Sequence, residues 1–300
     1  MAEGWEVVAT IRCVMKHILP KVLYGFCYLQ RSDHSQPQVD TRGYRQYNDG
    51  WVTSQVSKPA GESMISHSRQ TIHMGINFVF SPVPVINRHS HIRFQQGLMD
   101  AGVDFKTTSL NQGEILVIRE NPSQLNIRVA SLDQPPAAQF LVVAPHLGCD
   151  VEVFAREVDA VLRAFEATWP SNRRQVLSCD STFRDLFETS AKHAFQELWE
   201  MRLGQSSSSL DVLGRPVLGG GLRFVMPNTS DDPEPMQVEV KIESYLQDTK
   251  KLFIETEFKW LAPTPQGAPF DPSGRLKQID NYVENQVVSF VEGGSSDGGQ

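Results

Sequence analysis

The sequence predicts an α+β fold in which one β-α-β-β-β-α unit occurs twice. The two copies would form a pseudo-two-fold antiparallel sheet with helices on one face. Three observations carry this. Leu125-Asn126-Ile127-Arg128-Val129 and Val238-Glu239-Val240-Lys241-Ile242 both alternate apolar and polar residues with period two, the signature of a half-buried strand. Each of these strands precedes a further strand and an amphipathic helix. The whole order of elements is the same in residues 74–170 and 175–292.

In the first copy, Ile76–Phe80 is a short apolar strand stopped by Ser81-Pro82-Val83-Pro84. Ser90 is placed to cap a helix through Phe94, Leu98 and Ala101, ended by Gly102. Strands follow at Glu114–Arg119, Leu125–Leu132 and Ala138–Ala144, separated by Pro-containing turns. The next helix is the plainest element in the chain. Phe154, Val158, Val161, Leu162, Phe165 and Trp169 form one apolar stripe, with Asp150 as N-cap and Pro170 as stop.

The second copy opens with a strand at Gln175–Cys179 and a predicted helix from Thr182 to Leu203, closed by Gly204. Gly219-Gly220-Gly221 leads into a strand at Leu222–Met226, and Met236–Ser244 with Lys251–Leu261 form a hairpin. Residues 262–272 are too rich in Pro, Gly and Ala for regular structure. Ser273 would cap a last helix with Leu276, Ile279, Val283, Val287 and Phe290 inward. Residues 1–73 lack sustained periodicity and read as a poorly ordered N-terminal extension, with Met64 or Met74 as candidate natural starts; residues 293–300 read as a disordered tail. In layout alone, the duplicated plan is similar to the saddle of TATA-box-binding proteins, and no residue of that family is carried over.

Composition narrows the function classes. The chain has 300 residues, 40% of them apolar, enough for one or two cores. Its net charge is −7, yet residues 1–73 hold eight Lys/Arg against six Asp/Glu. The rest is therefore strongly acidic and lacks the basic footprint of a nucleic-acid binder. Cys13, Cys27, Cys149 and Cys179 are scattered, with no CxxC pair, which argues against a zinc ribbon and a disulfide framework. The apolar stretch Val14–Leu29 is interrupted by Lys16, His17, Pro20 and Lys21, so no membrane span is predicted. A cytoplasmic protein with no nucleic-acid partner is the expectation.

Catalytic signatures are missing from the sequence: no phosphate-binding loop, dinucleotide fingerprint, HExxH or GxSxG. His89-Ser90-His91 on an extended segment would present two imidazoles to one ion, with Asp100 or Asp104 completing the shell. Two exposed residues ahead of a helix is the plainer account, and neither a metal nor a cofactor is predicted. Cys149-Asp150 and Cys179-Asp180 each precede a predicted helix, where a helix N-terminus lowers a thiol pKa. With His146 close by, a Cys/His nucleophile can be built. Against it, Asp150 suffices as a cap and Cys149 as an apolar contact for Phe154.

Alternation puts Arg128, Glu239, Lys241, Glu255, Glu257 and Lys259 on the sheet face away from the helices. That mixed-charge face suggests a non-catalytic binding or protein-interaction module, with a protein partner or a homo-oligomer. The alternative is an enzyme or small-ligand protein whose site lies between the copies, near His146, Cys149, Asp150, Cys179, Asp180 and His193.

Overall fold

Two long strands, β1 (Gln70–Ser81) and β6 (Gln175–Glu188), pair antiparallel along most of their length in the middle of a nine-stranded sheet. The computed structural model describes residues 66–133, 136–145 and 150–293. On one side of β1 lie β5 (Ala137–Pro145), β4 (Leu125–Leu132), β3 (Glu114–Arg119) and β2 (Thr107–Asn111). On the far side of β6 lie β9 (Lys251–Trp260), β8 (Met236–Ser244) and β7 (Gly221–Met226). The order is β2-β3-β4-β5-β1-β6-β9-β8-β7, and all eight neighbouring pairs are antiparallel.

Among the described residues five α-helices accompany the sheet: α1 (Arg88–Asp100), α2 (Val151–Thr168), α3 (Ala194–Gln196), α4 (Pro272–Tyr282) and α5 (Val288–Glu292). The helices supply the core from one side. Phe165 of α2 meets Phe80 and Phe140 edge-on, at ring centroids 5.1 and 4.9 Å apart. Tyr282 of α4 meets Phe258 at 5.2 Å. Residues directly opposite in an antiparallel ladder share a face. Phe78 pairs with Phe140 and Cys179, and Cys179 with Trp260, so the helix-side set runs across the central strands. Phe78, Phe140, Cys179 and Trp260 are all buried.

Several expectations from the sequence are met and several are corrected. Asp150 caps α2 by accepting from the Val153 N–H, and Phe154, Val158, Val161, Leu162 and Phe165 are its buried stripe. β8 and β9 form the expected antiparallel pair. The cap of α1, by contrast, is Asn87, which exchanges side-chain hydrogen bonds with Ser90 in a capping box. The helix therefore starts at Arg88 rather than after Ser90. Asp271, not Ser273, caps α4. β1 begins at Gln70, ahead of the apolar core of the strand, and β2 is an additional polar strand that no apolar alternation marks.

The largest correction concerns residues 182–203. The predicted helix is instead strand through Glu188, followed by α3 and a π-helical turn, Glu197–Arg202. Phe183, Leu186, Phe187 and Ala191 mimic a helical stripe. Alternation fits Phe183 and Phe187 equally well, and ladders to β1 and β9 on both sides hold the strand. Long-range pairing outweighs the weak helical propensity of Thr, Phe and Asp. A second π turn, Val283–Val287, joins α4 to α5. It leaves Phe290, expected inward, 46% exposed.

Candidate functional site

The face of the sheet that carries none of the described helices, the helix-free face below, bears a chain of polar contacts that crosses strand after strand. Glu114 on β3 accepts from Arg128 Nη2 on β4 at 3.0 Å. Arg128 Nη1 donates to Gln139 Oε1 on β5 at 2.9 Å. Gln139 Nε2 donates to Asn77 Oδ1 on β1 at 2.9 Å, and Asn77 Nδ2 donates to Asp180 Oδ1 on β6 at 2.8 Å. Asn77, Gln139 and Asp180 are buried, and each bond satisfies a polar group that would otherwise cost free energy to bury.

Charge pairs continue the pattern through the second half of the sheet. Arg184 on β6 donates to Glu255 on β9 at 2.7 Å. Lys241 on β8 reaches Glu255 and also Glu239, at 3.5 Å from the latter. Arg223 on β7 grips Glu239 with two bonds of 2.8 and 3.1 Å. Lys259 pairs with Glu257 at 2.7 Å. Cations and carboxylates are thus matched locally.

Electrostatics follow from this matching. Burial acts to raise the Glu255 carboxyl, but Lys241 and Arg184 outweigh it and hold the group below its usual range. Burial likewise opposes Lys241, whose two glutamates keep its ammonium charged to higher pH. Asp180 behaves differently: burial pushes it up to about 7, with the Asn77 hydrogen bond working against the shift. Its neighbour Glu257 adds to the rise and Lys259 opposes it. A carboxyl held well above its usual range thus sits at the middle of the face.

Apolar side chains lie beside the polar chain. Leu116 and Ile118 of β3 and Leu141 and Val143 of β5 are half-buried on this same face. Leu116 and Leu141 both stand opposite Arg128 in the ladder. Arg128, Glu239, Lys241, Glu255, Glu257 and Lys259 all fall on this face. None of the six is a freely exposed charge: each is buried or half-buried, and each is engaged by a neighbouring strand or residue.

The described members of the candidate catalytic group, Asp150, Cys179, Asp180 and His193, are not gathered in one place. Cys179 and Asp180 are consecutive strand residues, so their side chains point to opposite faces. Cys179 lies mid-strand and not at a helix N-terminus, because the helix expected after it is strand. Burial pushes its thiol up to about 12, against Arg275, the opposite of an activated nucleophile. Asp150 is occupied as the α2 cap. His193 caps α3, its Nδ1 accepting from the Gln196 N–H at 3.0 Å. His146 and Cys149 lie outside the described residues.

His89 and His91 sit in the first turn of α1, not on an extended segment. Residues two apart on a helix do not share a face, and His91 Nε2 is bonded to Thr108 Oγ1 at 2.6 Å. Among the described residues no group of three or more His, Cys, Asp or Glu side chains is placed to hold a metal. Sequence reasoning missed a pocket of about 640 Å³ beside α3, lined by His193, Phe195, Ser207, Asp211 and Arg215 among others. Its walls come from a 3-10 segment, Ser207–Leu213, whose serine-rich sequence reads as a featureless loop.

No protein-family model and no curated protein matches the chain. Among solved structures it is similar to the immunity protein TplEi of the T6SS from Pseudomonas aeruginosa, complexed with an "L" peptide. The match has 6% identity and a TM-score of 0.20, and covers 70% of this chain and 89% of that one. A likeness at that score fixes neither fold nor function. Among the described residues no helix is long and apolar enough to cross a membrane.

Proposed function

We propose that the chain is a non-catalytic protein-interaction module that binds a protein partner across the helix-free face of its sheet. The observation that carries this reading is the composition of that face. Its charges are neutralised within the sheet, from Glu114–Arg128 at one side to Glu239–Arg223 at the other. Half-buried Leu116, Ile118, Leu141 and Val143 lie between polar groups. A partner covering the face meets apolar area to bury and few uncompensated charges to desolvate.

We also read residues 74–170 and 175–292 as two copies of one unit, joined at the β1–β6 pair. The supporting observation is the strand order outward from that pair: β5, β4, β3 on one side and β9, β8, β7 on the other. Residues 1–73 and 293–300 are then extensions outside the repeated units, although β1 reaches back to Gln70.

A small-ligand protein is the second reading, and the pocket at His193 and Arg215 is the observation that favours it.

The two readings separate in one capture experiment. The wild-type chain and a Leu116→Glu/Leu141→Glu variant are immobilised and exposed to extract from the protein's own source. Both substitutions place a carboxylate opposite Arg128, so the sheet keeps a favourable cross-strand contact. A protein retained by the wild type and lost by the variant supports the proposal. Equal retention by both contradicts it.

A further inference from the structure

We infer that β7 is a dimerisation edge, at which the strand pairs antiparallel with β7 of a second copy of this chain. The inference is independent of what the helix-free face binds. Among the described residues β7 is terminal in the strand order, and no described strand pairs with its outer row of backbone groups. The bonding row can be identified. The Ser244 N–H donates to the Gly220 carbonyl at 3.0 Å, and the register continues from there as Gly221 opposite Glu243. Bonded and non-bonded pairs alternate in an antiparallel ladder. Leu222, Phe224 and Met226 therefore turn their backbone groups toward β8, while Gly221, Arg223 and Val225 turn theirs outward.

Apart from Arg223, the side chains at this edge are apolar. Phe224 is 37% exposed and Val225 51%. Phe224 meets Phe290 edge-on at 5.3 Å, and Phe290 is itself solvent-facing. Leu218, just ahead of the strand, is also exposed. The opposite edge, β2, has the sequence Thr-Thr-Ser-Leu-Asn and offers no such cluster. Natural edge strands are usually blunted by charged side chains, proline or a bulge; Gly221–Met226 has neither proline nor bulge, and its one charge, Arg223, is paired with Glu239 of its own chain.

A two-fold axis permits few registers, and charge selects among them. Centring the pair on Arg223 puts two guanidinium groups opposite each other, which is unfavourable. Centring it on Phe224 puts Phe224 opposite Phe224 and Arg223 opposite Val225. The outward-facing Arg223 and Val225 then exchange backbone hydrogen bonds with the partner strand. Arg223 is already neutralised by Glu239 of its own chain, so the two edges do not repel. The aromatic pairs Phe224–Phe290 of both copies meet across the axis, and the two sheets become continuous.

Sedimentation equilibrium of the full chain at tens of micromolar tests this, with Val225→Pro, Phe224→Glu and Ser109→Lys variants. Proline at 225 removes an outward N–H and leaves the β7–β8 bonds in place. The expected result is twice the chain mass for the wild type and for Ser109→Lys, and the single-chain mass for Val225→Pro and Phe224→Glu. A monomeric wild type overturns the inference, whether or not another protein's strand pairs with the edge. So does a Phe224→Glu variant that remains dimeric, and this variant decides the question if Val225→Pro fails to fold. Loss of the dimer in Ser109→Lys also overturns it, since that residue is on the other edge.

Discussion

Asn77 and Asp180 face each other across the β1–β6 pair, and the amide donates to the buried carboxyl at 2.8 Å. This contact joins the polar chain of one half of the sheet to the other at its centre. Burial raises the Asp180 pKa from 3.8 to about 7, so the fold favours the neutral acid. Below the unfolded value the acid is protonated in both states, and its burial costs nothing extra. As pH rises from about 4 to about 7 the unfolded chain binds fewer protons than the folded one, and stability falls. The slope in that window is about 1.4 kcal/mol per pH unit. Asp180→Asn keeps the contact without the charge. Urea denaturation at pH 5 and pH 8 should show the variant gaining stability over the wild type at the higher pH only. An unchanged difference between the two pH values contradicts the assignment.

Asp185, fully buried on the helix side of β6, is held by Arg69 at 2.9 Å and by Thr71 Oγ1 at 2.6 Å. Arg69 also reaches Asp280 of α4 at 2.8 Å. Burial raises the Asp185 carboxyl in spite of Arg69, so this carboxylate depends on its partners. Removing one partner from a buried pair costs about 3–5 kcal/mol, and Arg69→Ala should destabilise the protein by that order in urea denaturation. Lys106→Ala, which breaks the exposed 2.6 Å pair with Glu120, should cost less than about 1 kcal/mol.

Cys179 is buried with a thiol pKa near 12. In a chain carrying serine at the other three cysteine positions, it should be inert to a thiol reagent at pH 8 until denaturant is added. Rapid labelling in the folded protein would revive the nucleophile reading.

Gly221 approaches β8 closely: a Cβ there would collide with the Ile242 carbonyl oxygen. A backbone atom cannot swing aside as a side chain can. Gly221→Ala should therefore lower the thermal midpoint, with a cost of about 1–3 kcal/mol.

Much of the fold is legible in the sequence because local signals and final environment agree. The α2 stripe from Phe154 to Phe165 and the alternation in β4, β8 and β9 state their own burial. Residues 182–188 are not legible, since Phe183 and Phe187 satisfy both periods and only the ladders to β1 and β9 decide. β2 is polar and short, and it exists through its pairing with β3. The helix-free face is readable as a set of residues, but not as a paired network. Gln139 and Asn77 carry no charge to mark them, and their bonds depend on register between strands far apart in sequence.

Hydroxyl-radical footprinting of the chain, free and bound to its captured partner, tests the binding face most directly. The account predicts protection at Leu116, Ile118, Leu141 and Val143 on binding, with His193 and Phe195 at the pocket unchanged. Protection confined to the pocket residues, with the helix-free face as reactive as in the free chain, would contradict it.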